Sequence, residues 1–234
     1  MAPLPAVTVN REPVVLSWSG GKDSALARAA LRDDPRHEVV ALMTSVTRDY
    51  DRISIHGVRR VLLDAQVTSA GLPLIEITLT PQSSNEAYEA AFLDAVDRMR
   101  VAHPRVETIA FGDLFLEDVR AYRESLLQRG GVKGLYPLWG RDTRQLAREF
   151  VANGFVAHLA CVDTTQLEAR FAGRRFDAEL LAELPAAVDP CGERGEFHTF
   201  VSAGPIFAQP IDVSCGEVVL RDGRFAYCDI VPAT

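Results

Sequence analysis

Short β-branched runs alternate with amphipathic stretches through the first half of the chain. VVLSW (Val14 to Trp18) has the composition of a buried strand, and a Ser/Gly turn leads directly from it into ALARAALRD, a helical stretch. EVVALMTSV (Glu38 to Val46) reads as a second strand, HGVRRVLLDAQVTSAG as an amphipathic helix ended by Gly71, and PLIEITL as a third strand. NEAYEAAFLDAVDRMRVA is a long helix, and VETIAFG (Val106 to Gly112) is a fourth strand. Strands spaced by helices of this length require crossover connections, which predicts a doubly wound, mainly parallel α/β sheet covered on both faces.

The pattern changes near Gly130. GLYPLW offers a short strand, DTRQLAREFVANG a helix between an Asp142 N-cap and Gly154, and GFVAHLACV a further strand. DAELLAELP is a short helix stopped by Pro185. FHTFVSAG, IFAQPIDV, EVVLRDG and RFAYCDIV follow as short strands, with RDGR marking a hairpin. The expected organisation is a nucleotide-binding domain over residues 1–130 and a smaller α+β subdomain over 131–234 that binds substrate.

Composition narrows the partners. Among 234 residues, 25 Lys and Arg stand against 32 Asp and Glu, a formal charge of −7, and no basic run interrupts that background. Nonspecific nucleic-acid binding draws on phosphate neutralisation, so this balance counts against it. No apolar stretch approaches the length of a membrane span, and the first residues lack the basic start and apolar centre of a secretion signal, so the expected location is cytoplasmic. The four cysteines form no CxxC pair and are expected to be reduced thiols.

The candidate chemistry begins at the first strand-to-helix turn, where open parallel sheets bind ligands. Here the order is Ser17, Trp18, Ser19, Gly20, Gly21, Lys22, Asp23, Ser24. Gly20 and Gly21 let the backbone approach an anion, the helix N-terminus and Lys22 add positive charge, and the serine hydroxyls suit phosphate oxygens. Asp23 is placed either to hold Mg²⁺ or to cap the helix. The loop is not GxxxxGK[ST], because Leu16 stands at the first glycine position and Asp follows Lys22. Further candidates lie at the carboxyl ends of other strands: Met43 and Thr44, Gly112 and Asp113, and His56 at the start of the second helix. On the next helix, Glu117, Arg120 and Glu124 share one polar stripe.

SGGKDS after a buried strand resembles the PP-loop of the N-type ATP pyrophosphatases, within the adenine nucleotide alpha hydrolase superfamily. That resemblance implies ATP cleaved between its α and β phosphates, with adenine near the end of the second strand at Met43 and Thr44. A second set of motifs narrows it. GDL…ED.R.Y, the run Tyr136-Pro137-Leu138-Trp139, and CGERGEFHTF from Cys191 to Phe200 together resemble the diphthine-ammonia ligase family over nearly the whole chain.

The family chemistry thus implied is adenylation of a carboxylate with release of pyrophosphate, followed by attack of ammonia. Lys22 and Asp23 would serve the phosphates and a Mg²⁺ ion, and Glu193 and Glu196 would orient an amine or ammonium, or ligate Mg²⁺. His198 would be an acid or base, or a strand residue facing water. No glutaminase segment is recognised, so ammonia would arrive free or from a partner, and homodimerisation stays open. The family's named substrate is a modified histidine on elongation factor 2. This chain resembles the short bacterial-type members, which have no diphthamide to finish, so another carboxylate acceptor stands beside diphthine. A PP-loop enzyme acting on another substrate such as RNA, and a sensor that holds ATP or AMP without turnover, are the alternative readings.

Overall fold

The computed structural model describes residues 11–48, 52–53 and 57–233. Ten strands and six α-helices occur among them, as β1 (Glu12–Ser17), α1 (Lys22–Asp33), β2 (His37–Thr47), β3 (Arg52–Ile53), α2 (Arg60–Ala70), β4 (Leu74–Leu79), α3 (Asn85–Ala102) and β5 (Thr108–Ala110). The order continues with α4 (Glu117–Gly130), β6 (Lys133–Leu135), α5 (Thr143–Ala152), β7 (Val156–Asp163), α6 (Ala178–Glu183), β8 (Phe197–Ala203), β9 (Val213–Arg221) and β10 (Phe225–Pro232).

Five strands pair in parallel. β1 lies between β2 and β5, β4 adds to the far edge of β2, and β6 adds to β5. The chain therefore builds outward from β1 in one direction, then returns and builds in the other. The point of reversal lies between β1 and β5, and at their carboxyl ends the outgoing loops diverge to leave a crevice. The alternation of β1 explains the two-sided core: Val14 and Leu16 face one apolar cluster with residues of α1 and α2, whereas Val15 faces the other with Phe92 and Met99 of α3 and Leu126 of α4.

The second sheet is antiparallel, in the order β8-β7-β10-β9. Its residues Leu159, Val201 and Ile230 belong to the same apolar cluster as Val14 and Leu16. The α1/α2 face is thus where the two sheets share a core, and this brings β8 against the β1–α1 turn.

Three expectations change. β2 continues to Thr47, paired with β4 as far as Leu79, so Met43 and Thr44 lie within the strand rather than at its end. Of GLYPLW, expected as a short strand of the second subdomain, only Gly134 and Leu135 are in a strand, Lys133–Leu135, which pairs in parallel with β5, and the run then turns at 137–140. IFAQPIDV forms no strand before Val213. Pro210 has no N–H to give to a ladder, and the segment instead docks on the end of α2, with Ala208 N donating to Ser69 O (2.8 Å) and Ile211 N to Ser202 O (2.7 Å).

Candidate active site

The glycine loop occupies the crevice. Gly20 has φ +76°, a region that favours glycine, and a Cβ there would come within 2.7 Å of Gln66 Oε1. Gly21 is the N-cap of α1, and its N–H donates to Ser19 Oγ (3.2 Å). Ser24 Oγ donates to Gly21 O (2.9 Å) and lies 3.2 Å from Ser19 Oγ, so both predicted phosphate hydroxyls also brace the turn. Ser17, at the carboxyl end of β1, pairs with Met43.

The second sheet holds this loop from outside. Lys22 N donates to Thr199 Oγ1 (3.0 Å), and Val201 N donates to Gly20 O (2.9 Å). Gln66, wholly buried in α2, donates to Gly20 O (3.0 Å) and Val201 O (2.7 Å) while its Oε1 accepts from Trp18 Nε1 (3.0 Å). One side chain therefore ties together β1, the glycine loop and β8. The sequence signal was present but unread: Gln66 follows Leu62 and Leu63 on the apolar stripe of α2, where a buried amide requires partners.

Lys22 is 2% exposed, with its Nζ 2.8 Å from Asp23 Oδ2 and 5.4 Å from the centre of the Phe197 ring. Burial works against its ammonium, but the charge and hydrogen bond of Asp23, together with Cys191 and Glu193, outweigh that, and its pKa is raised. Burial also raises the pKa of Asp23, against the pull of Lys22. Asp23 Oδ1 is buried without a hydrogen-bond partner. An orphaned carboxylate oxygen beside a phosphate-type loop fits a Mg²⁺ ion that takes its remaining ligands from water and phosphate. No group of three or more His, Cys, Asp or Glu able to hold a metal occurs among the described residues.

Gly112 follows β5, and a Cβ at this position would meet the backbone of Asp23 at 2.8 Å. Its function is therefore close approach: it lets the β5 loop press against the start of α1. Asp113 is ion-paired with Arg123 of α4 (2.6 Å), and Arg123 in turn covers the Phe111 ring. Arg120 lies 4.5 Å from the ring centres of both Tyr136 and Trp139. The YPLW run thus supplies aromatic walls that hold a guanidinium over the same end of the sheet.

Asp189 folds the CGERGE segment and ties it to α5. Asp189 Oδ1 accepts from Cys191 N (2.9 Å), and its Oδ2 accepts from Thr143 Oγ1 (2.7 Å) at the start of α5. Glu196, 1% exposed, uses Oε1 to accept from Asp189 N and Oε2 to accept from Arg194 N. Both oxygens accept from the loop's own backbone, so Glu196 braces the fold of the loop. Glu193 differs. Its Oε1 accepts from Leu114 N (2.8 Å) of the β5 loop, and its pKa is pushed up to about 7, first by burial and then by Asp23 and Asp113.

The remaining candidates separate clearly. Cys191 is buried, with its thiol pushed up to about 12 by burial, and it donates to Thr143 O, so it is no thiolate nucleophile. His198 is pushed down to about 4 by burial and by Lys22, and is neutral at physiological pH. The Met43 side chain packs in the core, while its carbonyl accepts from Trp18 N. Thr44 Oγ1 donates to Trp18 O (2.7 Å). Those two residues fix the end of β1 through side chain and backbone. His56 lies outside the described residues.

Comparison with known proteins gives one consistent result. A family model described as the diphthamide synthase N-terminal domain matches residues 12–134, and the diphthamide synthase C-terminal domain matches residues 142–233. A diphthine–ammonia ligase of Schizosaccharomyces pombe is 28% identical over 86% of this chain and 36% of its own length. The chain therefore spans about a third of that relative. Proteins of the same name from Homo sapiens (27% identical, 87% of this chain and 83% of the relative) and Danio rerio (28%, 89% of each) match over most of both lengths. Among the described residues, no helix is long and apolar enough to cross a membrane.

Proposed function

The chain belongs to the diphthamide synthase family, and from that premise we propose that it is an ATP-dependent amide ligase that adenylates a carboxylate and transfers the acyl group to ammonia. The observation that carries this reading is the meeting of two motifs: the SGGKDS turn and the CGERGE loop come together around Lys22, Phe197 and Glu193.

In the first step a carboxylate oxygen attacks the α phosphorus of ATP, the bond to the β phosphate breaks, and pyrophosphate departs with the electron pair. Gly20 and Gly21 permit close backbone approach to the phosphates, and Lys22 stabilises the charge that develops on the leaving group. Asp23 would hold Mg²⁺, which when bound neutralises part of the phosphate charge. In the second step ammonia adds to the acyl carbon and AMP leaves. Ammonia must lose a proton to become an amide nitrogen, and Glu193, with its pKa near 7, is suited to accept it. Asp113, through Arg123, and Glu196, through the loop backbone, are positioning residues in this scheme.

Diphthine, the acceptor in the relatives' name, is the first carboxylate to test, beside others. Incubation with ATP and ¹⁵N-ammonium should yield ¹⁵N-labelled amide only when an acceptor is present. ATP bound without any carboxylate-dependent turnover across a broad acceptor panel would instead favour a sensing role.

A further inference from the structure

β9 leaves one edge of the antiparallel sheet bare. It pairs with β10 along one side, from Val213 opposite Pro232 to Arg221 opposite Phe225, and is the terminal strand of its sheet. Nothing among the described residues pairs with its other side. All nine of its residues except Val213 are exposed, including Val218, Val219 and Leu220 in succession. Leu220 is 57% exposed. The sequence of β9, VSCGEVVLR, contains neither Pro nor Lys; its register against β10 shifts between Cys215 and Val218, where Gly216 and Glu217 face the single residue Asp229, and is regular from Val218 to Arg221, so the one irregularity leaves Val218, Val219 and Leu220 unprotected. Sheets normally protect a long apolar edge by such residues or by bulges, because an open edge recruits another strand.

The strand is complementary to itself. In an antiparallel pair, facing residues point to the same side of the sheet, so a two-fold axis relating two identical strands must pass through a residue. With the axis at Val219, Glu217 of each copy faces Arg221 of the other, Val218 faces Leu220, and Val219 faces its own counterpart. With the axis at Val218, Arg221 would face Cys215; with it at Leu220, Glu217 would face Gly223. Only the Val219 register pairs both charges. Neither Glu217 nor Arg221 forms an ion pair among the described residues.

We propose that two copies of this chain associate through β9, antiparallel and centred on Val219, so that their four-stranded sheets become one continuous sheet. The occupant is a second copy because the bare edge carries opposite charges at positions that match under its own two-fold. Facing pairs across the axis place Val219 and its counterpart at a separation suited to a disulfide.

Sedimentation equilibrium on the full chain tests this. The wild type should be a dimer at micromolar concentration. Glu217→Arg and Arg221→Glu should each raise the dissociation constant at least tenfold, while the double reversal restores it. In a Cys215→Ser background, Val219→Cys should form an intermolecular disulfide under mild oxidation, whereas Arg221→Cys, displaced from its counterpart along the strand, should not. Circular dichroism checks that each variant is folded. A monomeric wild type at 100 µM would overturn the proposal, as would a dimer indifferent to charge reversal or one in which Val219→Cys does not cross-link.

Discussion

Replacing Glu193 by Gln should stabilise the protein at high pH while impairing its chemistry. Gln keeps an oxygen able to accept from Leu114 N, so the hydrogen bond of 2.8 Å survives and only the titration is removed. Burial pushes Glu193 up to about 7 in the folded protein, against 4.5 for the solvated carboxyl. Between those values the folded state binds a proton that the unfolded chain has already lost. Stability from this group is therefore complete below about pH 4.5 and is lost as pH rises through 7. Full burial would make the loss roughly 3 kcal/mol; Glu193 is only half-buried, and solvent screening reduces this to about 1–2 kcal/mol. For a chain of this size that corresponds to a Tm difference of about 3–6 °C. Thermal unfolding of wild type and variant from pH 4.5 to 8.5 should give curves that nearly coincide at pH 4.5, diverge as pH rises from there and stand fully apart above about pH 7, with the variant higher. The rate of amide formation by the wild type should rise with an apparent pKa near 7, and the variant should lose that dependence. Parallel stability curves over the whole range would refute the assignment of a buried, titrating carboxylate at this position.

Three other perturbations test the frame around it. Lys22→Ala should lower turnover by about 10²-fold or more, with little change in Tm, because Asp23 already has a raised pKa and can take up a proton when its cation is removed; turnover near the wild-type rate would contradict the role. Gln66→Leu strands the Val201 carbonyl and the Trp18 indole N–H and leaves the Gly20 carbonyl with Val201 N as its remaining donor, and chemical denaturation should show a loss of about 3 kcal/mol, together with weaker ATP binding in titration calorimetry. Gly112→Ala drives a methyl group against the Asp23 backbone, so it should weaken ATP affinity at least tenfold while Gly140→Ala, with nothing within 4 Å of its Cβ, leaves ATP affinity nearly unchanged.

The sequence displayed some features far better than others. α3 spans the predicted NEAYEAAFLDAVDRMRVA in full because Ser84 caps it and its apolar face is continuous. The glycine loop was legible because its residue types are few and its position after a buried strand is diagnostic. The Asp222-Gly223 turn, with φ +52° and +62°, follows from RDGR. Legibility failed where long-range partners decide. IFAQPIDV alternates like a strand, yet its hydrogen bonds go to Ser69 and Ser202. Glu193 and Glu196 are chemically equal in CGERGE, and only the fold separates one facing Leu114 from one that closes its own loop. Asp189 was missed because its importance lies in joining α5 to that loop, although Asp before Pro-Cys-Gly carries a turn signal.

The bond of ATP that is broken separates a ligase of this kind from other ATP-using proteins. Purified protein supplied with ATP, Mg²⁺, ammonium and a panel of carboxylates including diphthine, followed by chromatographic separation of nucleotides and phosphates, measures it directly. AMP and pyrophosphate are expected in equal amounts, formed only with an acceptor and lost in Lys22→Ala; ADP with orthophosphate would overturn the proposed reaction.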